Sequence, residues 1–333
     1  LYSIDIAIFK QQLIFFIISL FAYFLFLNID YRIFKAFSTQ IYIGALLILG
    51  LIFIIGVEAK GAVRWIDFFG VRIQFSEILK PFFVIIFANH LSKNDRHDLG
   101  TFLTSLLILF PVFFLILRQP DLGNAIIYFL TAVCMMLCYG FPKRYFASLF
   151  ACIIIPMPIF FNLLKEYQQQ RIFSFLNSTA DPFGSSYNAI QSLISVGSGG
   201  FFGKGFGQAT QSILRFLPER HTDFIFATFS ESLGFFGGVL LLLLFTVLLA
   251  RSYKISLSAS DTFSYLVAVG IFFILLIHAF LNMGMNLGIL PIVGITLPLV
   301  SYGGSSLVTN FIMLSILSEI ASEKKKSAMF EIS

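Results

Sequence analysis

The chain has 333 residues, of which 58% are hydrophobic and only 12% charged, and its mean hydropathy is +0.91. Soluble domains carry roughly 25% charged residues, so this composition excludes an ordinary soluble globule and points to an integral membrane protein. The net charge of +5 does not indicate nucleic-acid binding, because the basic residues fall in short loops between apolar runs, the pattern that orients membrane helices.

In chain order, nine runs approach the roughly 17–25 residues that a membrane helix needs. They are 11–29, 41–57, 76–91, 101–117, 122–140, 145–164, 224–250, 264–283 and 299–318. Lys and Arg sort the connections. Arg32 and Lys35, Lys93 and Arg96, Lys143 and Arg144, Arg251 and Lys254, and Lys324 to Lys326 share one side. That side is expected to be cytoplasmic, with 319–333 as the tail. The other side then holds 1–10, 58–75, 118–121, a large loop at 165–223, and 284–298. An external start with an internal tail suggests a further span upstream, and the chain begins at Leu1 rather than Met. The fold class expected is all-α, a polytopic helix bundle forming a single membrane domain over 1–333.

The large loop contains turn chemistry at Asp181-Pro182-Phe183-Gly184, a Gly-rich patch from Gly197 to Gly207, and a candidate amphipathic surface helix over Tyr187–Val196. Cys134, Cys138 and Cys152 all lie in apolar runs and read as small hydrophobes. His90, His97, His221 and His278 show no metal-ligand spacing. No Gly-rich nucleotide-binding motif is present.

Polar residues concentrate on the outer side. In Gly61-Ala-Val-Arg64-Trp65-Ile-Asp67, the only Trp and its neighbouring Arg suit an interfacial anchor. Arg72, Glu77 and Lys80 follow. Glu77 and Lys80 are spaced to share a helix face, either as an internal ion pair or with Arg72 and Lys80 presented to an anionic substrate. In Arg118-Gln119-Pro120-Asp121, the proline ends one helix and Asp121 can cap the next, while Arg118 is placed to bind phosphate. The densest cluster is Glu219-Arg220-His221-Thr222-Asp223, directly before an apolar run. Ionisable groups at a membrane boundary are costly and point to function. Asp223 can cap that helix or act as a general base, and spacing alone leaves both roles open. Glu231, deeper in the same run, needs a partner or a watery cavity. Asn282 to Asn286 and Ser301-Tyr-Gly-Gly-Ser-Ser306 are small and polar, suited to close helix packing or to a ligand. Such an outer cavity suits a lipid-linked anion, for example a polyprenyl pyrophosphate.

Several stretches together carry a resemblance. They are Gly61 to Asp67, Gln74-Phe-Ser-Glu-Ile-Leu-Lys80, Arg118-Gln-Pro-Asp-Leu-Gly123, Leu217-Pro-Glu-Arg-His-Thr-Asp-Phe-Ile-Phe226 and Leu297-Pro-Leu-Val-Ser-Tyr-Gly-Gly-Ser-Ser306. Over nearly its whole length the chain resembles the SEDS family (shape, elongation, division, sporulation). Pro218-Glu-Arg-His221 and Gln119-Pro-Asp-Leu-Gly123 favour the rod-elongation branch over the division branch. Departures are Phe75 where Pro is usual, Asn124 where Thr is usual, and Ala209 where Gly is usual.

The resemblance implies a helix bundle with one span more than the runs counted above. It also implies a peptidoglycan glycosyltransferase of the bacterial cytoplasmic membrane, polymerising lipid II on the outer face. Its partners would be lipid II, the growing glycan strand, membrane lipid and a class B penicillin-binding protein acting as transpeptidase. The essential acid of the family motif maps to Asp223, the catalytic candidate. Arg72, Glu77, Lys80, Arg118, Gln119, Asp121 and His221 are the substrate-binding candidates. No cofactor is required by the residues, and a divalent cation (Mg or Mn) at Asp223 stays open. The readings of other class are a lipid II flippase and a non-catalytic scaffold.

Overall fold

The computed structural model describes residues 6–59, 62–68, 71–94, 96–156, 169, 186–214 and 216–330. The expected turn at 181–184, residues 157–164 of the sixth expected span and residues 1–5 lie outside the described residues. The described residues fall into two compact units. Unit 1 draws on Leu1–Phe9, Pro142–Thr246 and His278–Tyr302, and unit 2 on Lys10–Phe141, Val247–Ile277 and Gly303–Ser333.

Unit 2 contains helices α1 (Ile6–Leu27, from Lys10 on), α2 (Arg32–Ala36), α3 (Ser38–Ile55), α4 (Phe75–Ser92), α5 (Leu99–Arg118) and α6 (Leu122–Tyr139). Between α3 and α4 lie strands β1 (Val57–Ala59), β2 (Ala62–Phe68) and β3 (Val71–Gln74). In unit 1 are α7 (Lys143–Ile154), α8 (Tyr187–Ser198) and α9 (Thr210–Ile213). Helices α10 (Ile225–Leu257) and α11 (Thr262–Asn286) run through both units, and α12 (Gly304–Phe330) closes unit 2. Seven of the described helices (α1, α3, α5, α6, α10, α11 and α12 to Glu323) are long and apolar enough to cross a membrane. The chain is a multi-pass membrane protein.

Helix α4 is the axis of unit 2. It packs against α3, α5, α6 and α12, and Leu79, Phe83, Val84, Ile85, Phe87, Ala88 and Leu91 are buried. A helix enclosed on so many sides does not need the apolar composition of a lipid-facing span, which is why it tolerates Ser76, Glu77, Lys80 and Asn89, all buried. Phe83 meets Tyr128 of α6 edge-on at 5.0 Å between ring centroids. At Gly270 of α11 an added Cβ would stand 2.5 Å from Val84 and 2.8 Å from Met135, so this glycine lets three helices close on one another.

Where the sequence reading expects a loop at 58–75, the chain forms an antiparallel sheet of order β1-β2-β3. Register pairs include Trp65 with Gln74 and Asp67 with Arg72. A helix is present as α8 where the sequence reading expects one over Tyr187–Val196. The expected last span at 299–318 begins later, at Gly304, because 297–301 is turn held by side-chain hydrogen bonds described below. The helix then runs on through Phe330, into the expected tail.

The run read as one span over 224–250 is a broken helix. Gly234 in α10 has φ 70° and ψ −163°, a backbone state open only to glycine. A break at membrane depth frees backbone groups that lipid cannot satisfy. The Gly-rich segment supplies the partners. Lys204 N–H donates to Glu231 O (3.0 Å) and Gly205 N–H to Ser232 O (2.9 Å), while Phe235 N–H donates to Gly200 O (2.8 Å) and Phe236 N–H to Phe201 O (3.2 Å). The glycines are needed for this approach: a Cβ on Gly203 (φ 79°) would run into the Ser232 carbonyl.

Candidate active site

In unit 1 the His221-Thr222-Asp223 segment hangs in a tight turn, residues 217–224, ahead of α10. The turn is closed by the Glu219 carbonyl, which accepts from Thr222 N–H (3.1 Å) and Phe224 N–H (3.2 Å). Glu219 itself has φ 51°, a left-handed conformation uncommon for a residue with a Cβ. Inside the turn Leu217, Phe224 and Ala227 form a small buried core with Val196 and Ile292. Leu217 and Phe224 anchor the ends of the polar stretch, so the ionisable residues between them stay at the surface of this core.

The three carbonyls of the segment are gripped one by one. His221 O accepts from Tyr302 N–H at 2.8 Å. Thr222 O accepts from Ser301 Oγ at 2.7 Å, and Ser301 Oγ accepts from Leu297 N–H at 2.7 Å. Asp223 O accepts from Asn282 Nδ2 and from Asn286 Nδ2, both at 2.9 Å. The small polar stretches 282–286 and 301–306 therefore have a third role besides helix packing and ligand room: they hold the backbone of the acidic motif. Burial pushes the Tyr302 phenol above its usual range, so it stays protonated at neutral pH.

The geometry also bears on the two roles left open for Asp223. The carbonyl that accepts the first helical bond of α10 belongs to Phe224, from Thr228 N–H at 3.1 Å. The capping position is thus Phe224, and Asp223 lies one residue before it. The orphan N–H at Ala227 is satisfied from another helix, by Asn286 Oδ1 at 3.0 Å. Asp223 is partly exposed, with Oδ2 3.3 Å from where a Cβ on Gly294 would stand. Arg220 Nε donates to His221 Nε2 at 3.0 Å, so this ring nitrogen is unprotonated in the neutral tautomer.

Glu231 is fully buried and is met by Lys204 Nζ at 3.5 Å and by Gln211 N–H at 2.9 Å. This is the partner that its depth requires, and it pins the Gly-rich segment to the first part of α10.

In unit 2 a second polar cluster forms where β2, β3, α4 and α6 meet. Lys80 Nζ is 2.6 Å from Glu77 Oε1, with the lysine side chain 1% exposed. Asp121 caps α6, Oδ1 accepting from Asn124 N–H at 3.3 Å. Its Oδ2 accepts from Gln74 Nε2 (2.6 Å) and Asn124 Nδ2 (2.8 Å), and Arg64 Nη1 lies 3.6 Å from Oδ1. Tyr128 Oη donates to Ser76 O at 2.8 Å, and Gln74 N–H donates to Ser305 Oγ at 3.0 Å, which fixes the entry into α4 at Phe75. Gln119 Nε2 donates to Leu49 O at 2.9 Å. Among the described residues Arg64 Nε, Gln119 Oε1 and Asn124 Oδ1 are buried without a hydrogen-bond partner, groups that a polar ligand or water satisfies. Arg72 and Arg118 are exposed, the latter 5.6 Å from the Phe114 ring.

Of the residues read from sequence, Asp223 and His221 thus lie in unit 1, and Arg72, Glu77, Lys80, Arg118, Gln119 and Asp121 in unit 2. Among the described residues no three His, Cys, Asp or Glu side chains converge as a metal site. Sequence reasoning missed Arg64 as an Asp121 partner, and Asn282, Asn286 and Ser301 as supports. For the asparagines the signal was their spacing on a helix face and their improbable place in an apolar run.

Residues 2–326 match the family model of the FtsW, RodA and SpoVE proteins, described as cell cycle proteins. Peptidoglycan glycosyltransferase MrdB of Escherichia coli K12 is 38% identical over 299 residues, 88% of this chain and 80% of that protein. Stage V sporulation protein E of Bacillus subtilis 168 is 38% identical over 319 residues, covering 94% and 86%. Among solved structures, a chain of a peptidoglycan synthase complex that coordinates polymerization and crosslinking matches with TM-score 0.84 and 27% identity, over 96% of this chain and 91% of that one. The rod shape determining protein RodA of Thermus thermophilus matches with TM-score 0.73 and 26% identity, covering 97% and 90%.

Proposed function

The chain belongs to the FtsW/RodA/SpoVE family of cell cycle proteins, and from that premise we propose that it is a peptidoglycan glycosyltransferase which polymerises lipid II during cell elongation and rod-shape maintenance. The acceptor is the sugar 4-hydroxyl of one lipid II. The donor is the growing glycan on its undecaprenyl pyrophosphate. Asp223 takes the hydroxyl proton as the oxygen attacks the anomeric carbon, and the bond from that carbon to the pyrophosphate oxygen breaks. General-base assistance of this kind contributes typically about 10²–10⁴-fold.

Exposed Arg72 and Arg118 are the candidates to bind the phosphates of a lipid-linked substrate, while Lys80 is buried against Glu77 and serves the packing of α4. Fixed cations placed where charge develops stabilise the transition state without reorganisation. The reaction runs at the outer face of the bacterial cytoplasmic membrane, so the polyprenyl tails stay in lipid. A class B penicillin-binding protein is the partner that crosslinks the strands.

The observation that carries the base role is that the cap of α10 falls on Phe224 and its Ala227 N–H is served by Asn286. With the cap position on Phe224, the base role is the reading favoured for Asp223. The test is polymerisation of lipid II by purified protein in detergent, with and without the partner, for the native chain and Asp223→Asn. Glycan chains from the native protein and none from the variant support the reading. A native protein that makes no chains, alone or with the partner, sinks it and favours a flippase or scaffold.

A further inference from the structure

The polar groups buried behind Asp223 make no contribution to the mechanism above, yet they are arranged around it with unusual economy. Asn282 and Asn286 sit one helical turn apart on α11, so both amides face the same side. Both are fully buried. A buried amide that is not hydrogen-bonded is costly, and here the amide donors of the pair go to the acidic turn or its immediate supports, while Asn286 Oδ1 also accepts a long bond from Ser192 Oγ of α8 at 3.5 Å. Asn282 Nδ2 divides its donors between Asp223 O (2.9 Å) and Ile295 O (2.7 Å). Asn286 Nδ2 serves Asp223 O (2.9 Å) and Asn282 O (2.8 Å), while its Oδ1 accepts from Ala227 N–H (3.0 Å).

We infer that Asn282 and Asn286 are positioning residues for glycosyl transfer, setting where the Asp223 carboxylate stands by clamping its main-chain carbonyl. This rests on the base role proposed above for Asp223. The argument is one of torsions. With the Asp223 carbonyl held by two amides and the neighbouring Thr222 carbonyl by Ser301, the peptide planes on both sides of the Asp223 Cα are fixed. The carboxylate is then left with its own side-chain rotations alone. Gly294 leaves room beside Oδ2, where a Cβ would stand only 3.3 Å away.

Asn286 is not interchangeable with an isostere. Its amide donates to a carbonyl and accepts from an N–H at the same time. Aspartate would turn an acceptor toward the Asp223 carbonyl, and leucine would supply neither group. A clamp of this kind acts on the transition state and not on substrate affinity, because misplacing a catalytic group by about 1 Å costs on the order of 10²-fold in rate.

The test uses the full-length protein in detergent with lipid II, and the variants Asn286→Ala, Asn282→Ala and Asn89→Ala. Asn89 is likewise a buried α4 amide, bonded to Ser38 Oγ at 2.5 Å, and has no place in the site. Asn286→Ala is expected to lower kcat on the order of 10²-fold with KM for lipid II unchanged. Asn282→Ala, which leaves the Asn286 bonds to Asp223 O and Ala227 N–H in place, is expected to lower it less. Asn89→Ala is expected to lower the melting temperature without this loss of kcat. The inference is overturned if a folded Asn variant keeps native kcat, if the loss appears in KM alone, or if Asn89→Ala with equal loss of melting temperature loses kcat equally. Should Asn286→Ala not fold, Asn282→Ala decides by the same criteria. An Asp223→Asn protein that still polymerises would instead remove the base role itself, a result separate from any of these.

Discussion

Lys80 and Glu77 form a buried pair one turn apart on α4, with Nζ 2.6 Å from Oε1. Pro81 follows directly and has no N–H to give the Glu77 carbonyl, so the pair stands at a weak point of the helix. Removing one partner leaves a buried charge uncompensated, at a cost of about 3–5 kcal/mol. Lys80→Met and Glu77→Leu are each expected to lower the melting temperature sharply. The double variant is expected to recover much of that loss, and polymerisation with it. Thermal unfolding in detergent beside the lipid II assay checks both halves. A stable single variant would show that the pair is not held as described.

Asp223→Asn is expected to fold as the native protein does. The turn is held through main-chain carbonyls and through the Phe224–Thr228 and Asn286–Ala227 bonds, none of which needs a carboxylate. Loss of about 10²-fold or more in polymerisation with an unchanged melting temperature is the expected result. A parallel fall in stability would assign Asp223 a structural role after all.

Gly294 has φ 69°, and a methyl group there would stand 3.3 Å from Asp223 Oδ2. Gly294→Ala is expected to cost about 1 kcal/mol or more from backbone strain and to displace the carboxylate. Its kcat is expected to fall further than that of a variant destabilised equally elsewhere. Steady-state kinetics at matched folded fraction measure the difference.

Gly203→Ala meets the backbone of Ser232 and Leu233 across the break in α10, at φ 79°. Neither side can yield, since both are main chain. A loss of about 2 kcal/mol or more is expected, together with faster proteolysis within 199–207. Gly207→Ala, where an added Cβ meets nothing within 4 Å, is the control and is expected to be well tolerated.

Asp98 caps α5, Oδ1 accepting from Thr101 N–H at 2.9 Å. That hydrogen bond holds the Asp98 carboxyl below its usual range. A lowered folded-state value means that the cap stabilises above the ordinary carboxylate range and is lost as pH falls through the lowered value. The melting-temperature gap between native protein and Asp98→Ala is therefore expected at neutral pH and to close in acid. A gap that persists at the lowest pH would show that the charge is not what the cap uses.

Much of this architecture is legible in residue order, because membrane helices announce themselves by length and apolarity. Helices α1, α3, α5, α6 and α11 fall within a few residues of their expected places. What composition hides is the fate of backbone groups. The sequence signal for the sheet at 57–74 is no more than the β-favouring residues Val57, Val63, Trp65, Ile66 and Ile73. Against nine apolar runs that signal is faint. The break at Gly234 is hidden because Ser230-Glu231-Ser232 interrupt the run only briefly and a glycine alone does not mark a break in a membrane helix. Charge made Asp223, Lys80 and Glu77 conspicuous, whereas the bonds of Asn282 and Asn286 are displayed only by the folded chain.

The break in α10 also bears on biogenesis. Residues 235–257 at about 1.5 Å each are enough to cross a hydrocarbon core of about 30 Å, so the translocon can commit that stretch unaided. Residues 225–233 cannot settle until Gly200, Phe201, Lys204 and Gly205 have folded back to meet them. The acidic turn hangs from that short arm. Insertion of the longer arm thus does not by itself form the acidic turn, which waits for the Gly-rich segment to dock.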